Sequence, residues 1–337
     1  MPFDFFRKID DVDYSNNLLT VNTCPTKLED LLLSNPKITE TLIKYRDTNN
    51  IPNLILSGSP GTGKRTTVDI LTKTFLREHH KTNCFYLDGS IDRGKNVVSE
   101  LQTNSKKKQT NPNNNINNFL KRRTIDKFKL VVIYDFDHMS QEAQMALRRI
   151  IESQSNHVRF IFVANEHDNI IEAIQSRTVI IKFEPFQQSV IKSKLKKHAE
   201  DKITDDIIDL ISIITCGDLK QSLNYLQIIT NIDEPTIDKV YDIFEIPRIE
   251  SINEIISSCL SKKIADKQKP YLLMQSLLDE GHDCDDILDV FLKVLTMTDL
   301  KIDDKTRMLK AVSKCYYITE YTQTNHHLFS MISECRG

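Results

Sequence analysis

The sequence predicts an α/β protein: a parallel sheet covered by helices, followed by chain that is helical to the C-terminus. Three observations carry this expectation. Before residue 185, five short runs rich in Val, Ile, Leu and Phe alternate with longer segments whose apolar residues recur at helical spacing. A glycine-rich turn joins the first run to the first long segment, and beyond Pro185 the strand-like runs stop. Near-continuous apolar runs separated by helical crossovers are how strands buried on both faces read in sequence.

In chain order, the expected strands are NLILSG (53–58), NCFYLDG (83–89), KLVVIYDF (129–136), VRFIFVAN (158–165) and TVIIKF (178–183). Helices are expected from Thr66 to His79 and from Ser140 to Ser153. The stretch Asn104 to Arg123 breaks the alternation: it is polar and Asn-rich, and its 111–118 core offers little apolar area to bury, so it reads as an exposed loop. From Gln187 to about Ile232 the chain reads as short helices broken at Cys216-Gly217-Asp218. It is helical again from about Asp238. Three parts follow: an α/β domain over 1–185, a small helical domain over 186–237 and an all-α domain over 238–337.

Composition narrows the function classes. Lys and Arg number 45 against 47 Asp and Glu, a formal net charge of −2, so nucleic acid would have to meet local basic patches rather than a generally basic surface. The first ten residues mix charges with apolar residues and lack a signal-peptide core, and the longest apolar runs are far short of a membrane span, which points to an intracellular chain with no membrane segment. Seven cysteines are scattered singly, with no C-x-x-C spacing. Neither a zinc site nor a disulfide framework is expected, and no metal-ligating residues stand out.

The strongest local signal is LILSGSPGTGKRTT (54–67). A buried strand, a glycine-rich turn and a helix in that order make a phosphate-binding loop: backbone N–H groups turn inward, and the helix N-terminus adds its positive end. Gly58, Ser59, Pro60, Gly61, Thr62, Gly63, Lys64, Arg65 and Thr66 are the candidate nucleotide-binding residues, with Lys64 reaching the outer phosphates. The motif departs at its last position, where Arg65 replaces the hydroxyl that would ligand Mg²⁺. Thr66 and Thr67 lie about 100° and 200° further around the helix and cannot take that place. A second strand should end in acidic residues that order the metal; here its tail is Tyr134-Asp135-Phe136-Asp137.

With these pieces in place, the chain resembles the small subunits of replication factor C, the AAA+ clamp loader. The resemblance rests on NIPNLILSGSPGTGKRTT, LDGSIDRGKNVV, YDFDHMSQEAQMALRRIIES, VRFIFVANEHDNIIEAIQSRT and CGDLKQSLNYLQ, in the family's order across roughly residues 50–230. It implies an AAA+ nucleotide-binding domain, a helical lid and an α-helical collar that oligomerises. It implies ATP or ADP as ligand, with Asn165 at the sensor-one position and Lys220 at the second-sensor arginine position. It places Tyr134 where the family has a metal-binding aspartate and Asp135 where it has the catalytic glutamate. Together with Arg65, these departures count against ordinary Mg²⁺ placement and suggest a subunit that hydrolyses little, as one small subunit of the family does.

Ser176-Arg177-Thr178 matches the family's Ser-Arg-Cys, which implies that Arg177 is an arginine finger for a neighbouring subunit's nucleotide. DNA contact is implied for the helices beginning near Ser90 to Arg93 and near Ser140. Arg93, Arg148 and Arg149 are the candidates there, and Arg148 and Arg149 could equally meet a neighbouring subunit. The implied partners are the other subunits of a hetero-pentamer, a PCNA-like sliding clamp and primer-template DNA. The implied location is the nucleus for a cellular eukaryote, or a cytoplasmic replication factory for a virus. Two other readings stand beside this one: an autonomous AAA+ ATPase using Asp135 or Asp137 as metal ligand, and a scaffold that has lost nucleotide binding.

Overall fold

The computed structural model describes residues 18–92, 116–121, 127–199, 203–261, 267–319 and 325–336. Arg93 and most of the polar stretch 104–123 lie outside them.

The five expected strands form one sheet. They are β1 (Leu54–Gly58), β2 (Cys84–Asp88), β3 (Lys129–Tyr134), β4 (Val158–Ala164) and β5 (Val179–Phe183), in the spatial order β2-β3-β4-β1-β5. Every neighbouring pair is parallel, with Leu54 opposite Ile161 on one side of β1 and opposite Val179 on the other. The three central strands are buried almost throughout, but β2 and β5 are only partly buried. The expectation of burial on both faces therefore holds for the centre and fails at the edges. An edge strand has a neighbour on one side only, and Tyr86 and Val179 remain exposed.

Helices cover both faces. One layer holds α1 (Pro36–Asp47) and α2 (Lys64–Leu76), whose Leu42, Val68 and Leu71 pack with Leu54, Leu56 and Val132 of the sheet. The other holds α3 (Gln141–Ser153), whose Ala143, Leu147 and Ile151 pack with Ile55, Val131 and Phe160. Alternate residues of β1 thus feed two separate cores, as the pleat requires. Ser140 caps α3, its Oγ accepting from the Ala143 N–H at 3.3 Å.

One loop expectation is corrected. Ile116–Lys121 is a short helix, with Ile116 and Phe119 buried in the same core as α3. The Phe119 ring lies 5.3 Å from that of Phe85. The buried Lys129 ammonium donates to the carbonyls of Phe119 at 2.7 Å and Leu120 at 3.1 Å, closing the helix C-terminus. Ile116 and Phe119, three residues apart, dock the segment together with the half-buried Leu120.

The chain divides into two compact units: residues 1–191 with 217–224, and residues 192–216 with 225–337. The segment read as a small helical domain, 186–237, contributes to both. It contains α4 (Gln188–His198), α5 (Asp205–Ile214) and α6 (Leu219–Thr230). The second unit continues with α7 (Ile237–Phe244), α8 (Ile249–Leu260), α9 (Lys269–Asp279), α10 (Cys284–Met297), α11 (Ile302–Thr319) and α12 (His326–Arg336). Helices α8 to α12 share one core that includes Ile255, Phe291, Met308 and Ile332. Among the described residues, no helix is long and apolar enough to cross a membrane.

Candidate nucleotide site

The loop between β1 and α2 has the backbone the motif requires. Gly58, Gly61 and Gly63 all have positive φ, and Gly63 is the left-handed N-cap of α2. The helix therefore begins at Lys64, two residues earlier than its sequence periodicity indicates. Lys64 is nearly buried and turned back onto the loop, its ammonium donating to the carbonyls of Gly58 and of Ser59, the latter at 2.8 Å, and to Asn165 Oδ1 at 3.2 Å. Burial holds its pKa below the ordinary lysine value, against the opposing pull of Asp137 and Asp135.

Asn165 closes the end of β4 over the loop: its carbonyl accepts from Gly58 N–H at 3.1 Å while its side chain meets Lys64. Asp137 braces this corner, one carboxylate oxygen, Oδ2, accepting from the backbone N–H groups of Asn165 at 3.0 Å and Glu166 at 3.1 Å. Its Oδ1 is buried and has no hydrogen-bond partner among the described residues. Sequence reasoning treated Asp137 only as a metal ligand for the autonomous-ATPase reading. Its structural role, tying β3's tail to β4's, comes from sheet order.

The three departures from the motif meet in space. Arg65 Nη2 lies 2.9 Å from Asp135 Oδ2, and its guanidinium carbon sits 5.2 Å from the centroid of the Tyr134 ring. Tyr134 in turn stacks on Tyr86, with centroids 6.2 Å apart and planes 3° apart. Asp135 adopts φ +47°, a left-handed conformation uncommon outside glycine. Thr66 does not face the loop's centre, since its hydroxyl accepts from the Cys24 thiol at 3.8 Å. The buried Thr67 hydroxyl donates to Gly63 carbonyl at 2.9 Å, and that of Thr62 to Ser59 carbonyl at 2.8 Å.

These residues do not fit Mg²⁺. The ion takes near-octahedral oxygen ligands, here expected from a hydroxyl after the loop lysine and a carboxylate on the neighbouring strand. Arg65 stands at the first position and Tyr134 at the second. Asp135 is engaged by the guanidinium, which leaves Asp137 Oδ1 as a lone buried oxygen.

Sequence reasoning missed Asp218. Its carboxylate lies against Gly61, where an added Cβ would come within 1.8 Å of Oδ1. The same oxygen accepts from the Gln221 N–H at 2.8 Å and so caps the start of α6. The cap was readable from Gly-Asp before a helical run, but the approach to Gly61 was not. Lys220, two residues on, is exposed and makes no ion pair among the described residues.

Arg177 lies away from this loop. It precedes β5, whose Val179 pairs with Leu54 at the start of β1, while Phe183 pairs with Gly58 at its end. Those four residue steps span roughly 13 Å along the strand. The Arg177 guanidinium reaches Glu152 Oε1 at 2.8 Å and the Ala173 carbonyl at 2.8 Å, and lines an open cavity with Asn53 and Arg159. Glu152 also takes Arg148 Nε at 3.0 Å, and both guanidinium groups hold its pKa below the ordinary value. Arg149, one position on, is exposed and unpaired among the described residues.

A five-stranded parallel sheet in this order, with a phosphate loop after β1 and helices following the sheet, defines the AAA+ class of P-loop proteins. Solved structures agree at the level of fold: AMPPCP-bound DnaA from Aquifex aeolicus superposes with a TM-score of 0.54 at 16% identity, covering 92% of this chain and 96% of that one. The Aeropyrum pernix ORC1 protein in complex with DNA gives 0.50 at 13% identity, covering 83% and 82%. Residues 34–187 match the family model described as DNA polymerase III, delta subunit.

Sequence relatives are more specific. The chain is 32% identical to the replication factor C small subunit of Picrophilus torridus, over 79% of this chain and 80% of that protein. It is 28% identical to the small subunit of Aeropyrum pernix over 85% of each, and 29% identical to replication factor C subunit 4 of Encephalitozoon cuniculi over 86% and 92%. The chain belongs to the replication factor C small-subunit family, the clamp-loader subunits of DNA replication.

Proposed function

We propose that this chain is the weakly hydrolysing member of a clamp-loader hetero-pentamer. It binds ATP or ADP at its own loop and lends Arg177 to the nucleotide of a neighbouring subunit, while the complex opens a PCNA-like clamp and places it on primer-template DNA. The observation that carries the reading is Arg65 seated on Asp135, since one contact takes up both the metal-ligand position and the acidic position that would polarise water. Support for Arg177 acting in trans is its place at the far end of β5 from the chain's own loop. Arg148 shares Glu152 with Arg177 and so faces the same neighbour in this scheme. Arg149, rotated about 100° around the helix, is the better candidate for DNA phosphates.

The test is the DNA- and clamp-stimulated ATPase of the assembled complex. Arg177→Ala is expected to leave assembly intact and lower that rate by about tenfold or more, in line with arginine-finger losses. Glu152→Gln breaks the ion pair but keeps the guanidinium, and is expected to retain the rate. Equal losses in the two variants would assign Arg177 a structural role only.

A second reading, an autonomous ATPase, rests on the unpartnered Asp137 Oδ1 as a metal ligand. Steady ATP turnover by the purified chain alone would establish it.

A further inference from the structure

We propose that the Arg65 guanidinium is the built-in counter-cation of this site, so that the loop takes a nucleoside polyphosphate in its metal-free form. The inference rests on the nucleotide-binding reading above and deepens it.

A polyphosphate entering the loop meets carboxylates as well as the lysine. Asp135, Asp137 and Asp218 all act electrostatically on Lys64, and so does Arg65. One buried ammonium does not offset three carboxylates and a polyanion, so the ligand needs a second positive charge beside it. P-loop proteins ordinarily supply that charge as Mg²⁺. Here its ligand positions are Arg65 and Tyr134, and the first of them sets its own cation against the ring of the second.

The guanidinium is held in place before any ligand arrives. Asp135 grips it from one side at 2.9 Å, and the Tyr134 ring, itself stacked on Tyr86, supports it at 5.2 Å. Cation–π support and an ion pair fix its plane without burying it, for the side chain is 64% exposed. A guanidinium has five N–H donors in a rigid fork, and Asp135 takes one of them. The others remain for phosphate oxygens, the geometry in which Arg is strongest. Arg65 also leaves from the second residue of α2, immediately after the lysine, so its base is fixed to the phosphate loop. A nucleotide that brought its own divalent ion would set that ion against the guanidinium, and like charges at this range repel.

Binding of mant-ADP to the full chain, followed by fluorescence anisotropy in excess EDTA and in millimolar Mg²⁺, tests this directly. The expected result is an affinity in EDTA equal to or tighter than that in Mg²⁺. Arg65→Ser, which restores the hydroxyl of the motif, is expected to bind about tenfold more weakly in EDTA, with Arg65→Lys falling between the two. Saturable wild-type binding that appears only with Mg²⁺ would overturn the proposal and leave nucleotide binding standing. Wild-type affinity in the Arg65→Ser variant in EDTA would overturn it as well. No saturable mant-ADP binding in either buffer would overturn the nucleotide-binding reading itself, and the proposal with it.

Discussion

At Gly61 the backbone has φ +70° and an ideal Cβ would lie 1.8 Å from Asp218 Oδ1, so two independent constraints select glycine. A left-handed conformation costs a residue with a side chain of order 1–3 kcal/mol, and the collision adds to that. Gly61→Ala is therefore expected to lower stability by roughly 3 kcal/mol, measured as the urea midpoint. In the Asp218→Ala background, which has already lost the α6 cap, Gly61→Ala is expected to cost less, because the collision is gone and only the φ strain remains. An equal cost of Gly61→Ala in the two backgrounds would mean that the carboxylate does not approach the loop. Individual residues of this site were readable where their chemistry is local: the glycines, Lys64, Arg65 and the acidic tail of β3 all stand in contiguous motifs. Asp218 and Glu152 were not, because each acts through a partner far along the chain, Gly61 and Arg177.

At the scale of elements, the strands were readable to within a residue or two at each end, because central strands of a parallel sheet are apolar on both faces. The helix at Ile116–Lys121 was not, since its neighbourhood is dominated by asparagine and its two core residues form no long period. Its packing gives it a measurable stake in stability. Phe119→Ala removes a buried ring that contacts Phe85, and is expected to cost about 3 kcal/mol in chemical denaturation. A cost below about 0.5 kcal/mol would show that the segment is a surface appendage. The start of α2 is a similar case at smaller scale. The sequence reading starts it at Thr66, but the left-handed Gly63 cap and the turn of the loop start the helix at Lys64.

Across the whole molecule, the cysteines set an alkaline limit. Cys84, Cys259, Cys315 and Cys335 are buried and free. Burial raises Cys259 from an ordinary 9.0 to about 11 and the other three to about 12. Each thiol must stay protonated in the folded chain, whereas it ionises at its ordinary value once exposed. Its contribution is thus fully present below pH 9 and is lost as pH climbs toward the folded value. Each such group contributes a slope of about 1.4 kcal/mol per pH unit in that window. The urea midpoint is expected to hold from pH 7 to 8.5 and to fall steeply above pH 9, less steeply in Cys315→Ala. A midpoint constant up to pH 11 would contradict the burial of these thiols.

The order of strand-like runs, the phosphate loop and the three departures from its motif are properties of contiguous sequence; the first two were enough to reach an α/β phosphate-loop fold, and the resemblance of five segments across roughly residues 50–230 implied the AAA+ family. Local chemistry sufficed there because a glycine turn, a helix start and an apolar strand are each set by neighbouring residues. Sequence alone showed three departures that agree in the chemistry they remove, at positions 65, 134 and 135. Only in the folded chain do they become one object, with Arg65 clasped by Asp135 and resting on Tyr134. Their meeting depends on the crossover that brings the end of β3 to the start of α2, and side chains 70 positions apart can exchange a hydrogen bond only after that crossover is made.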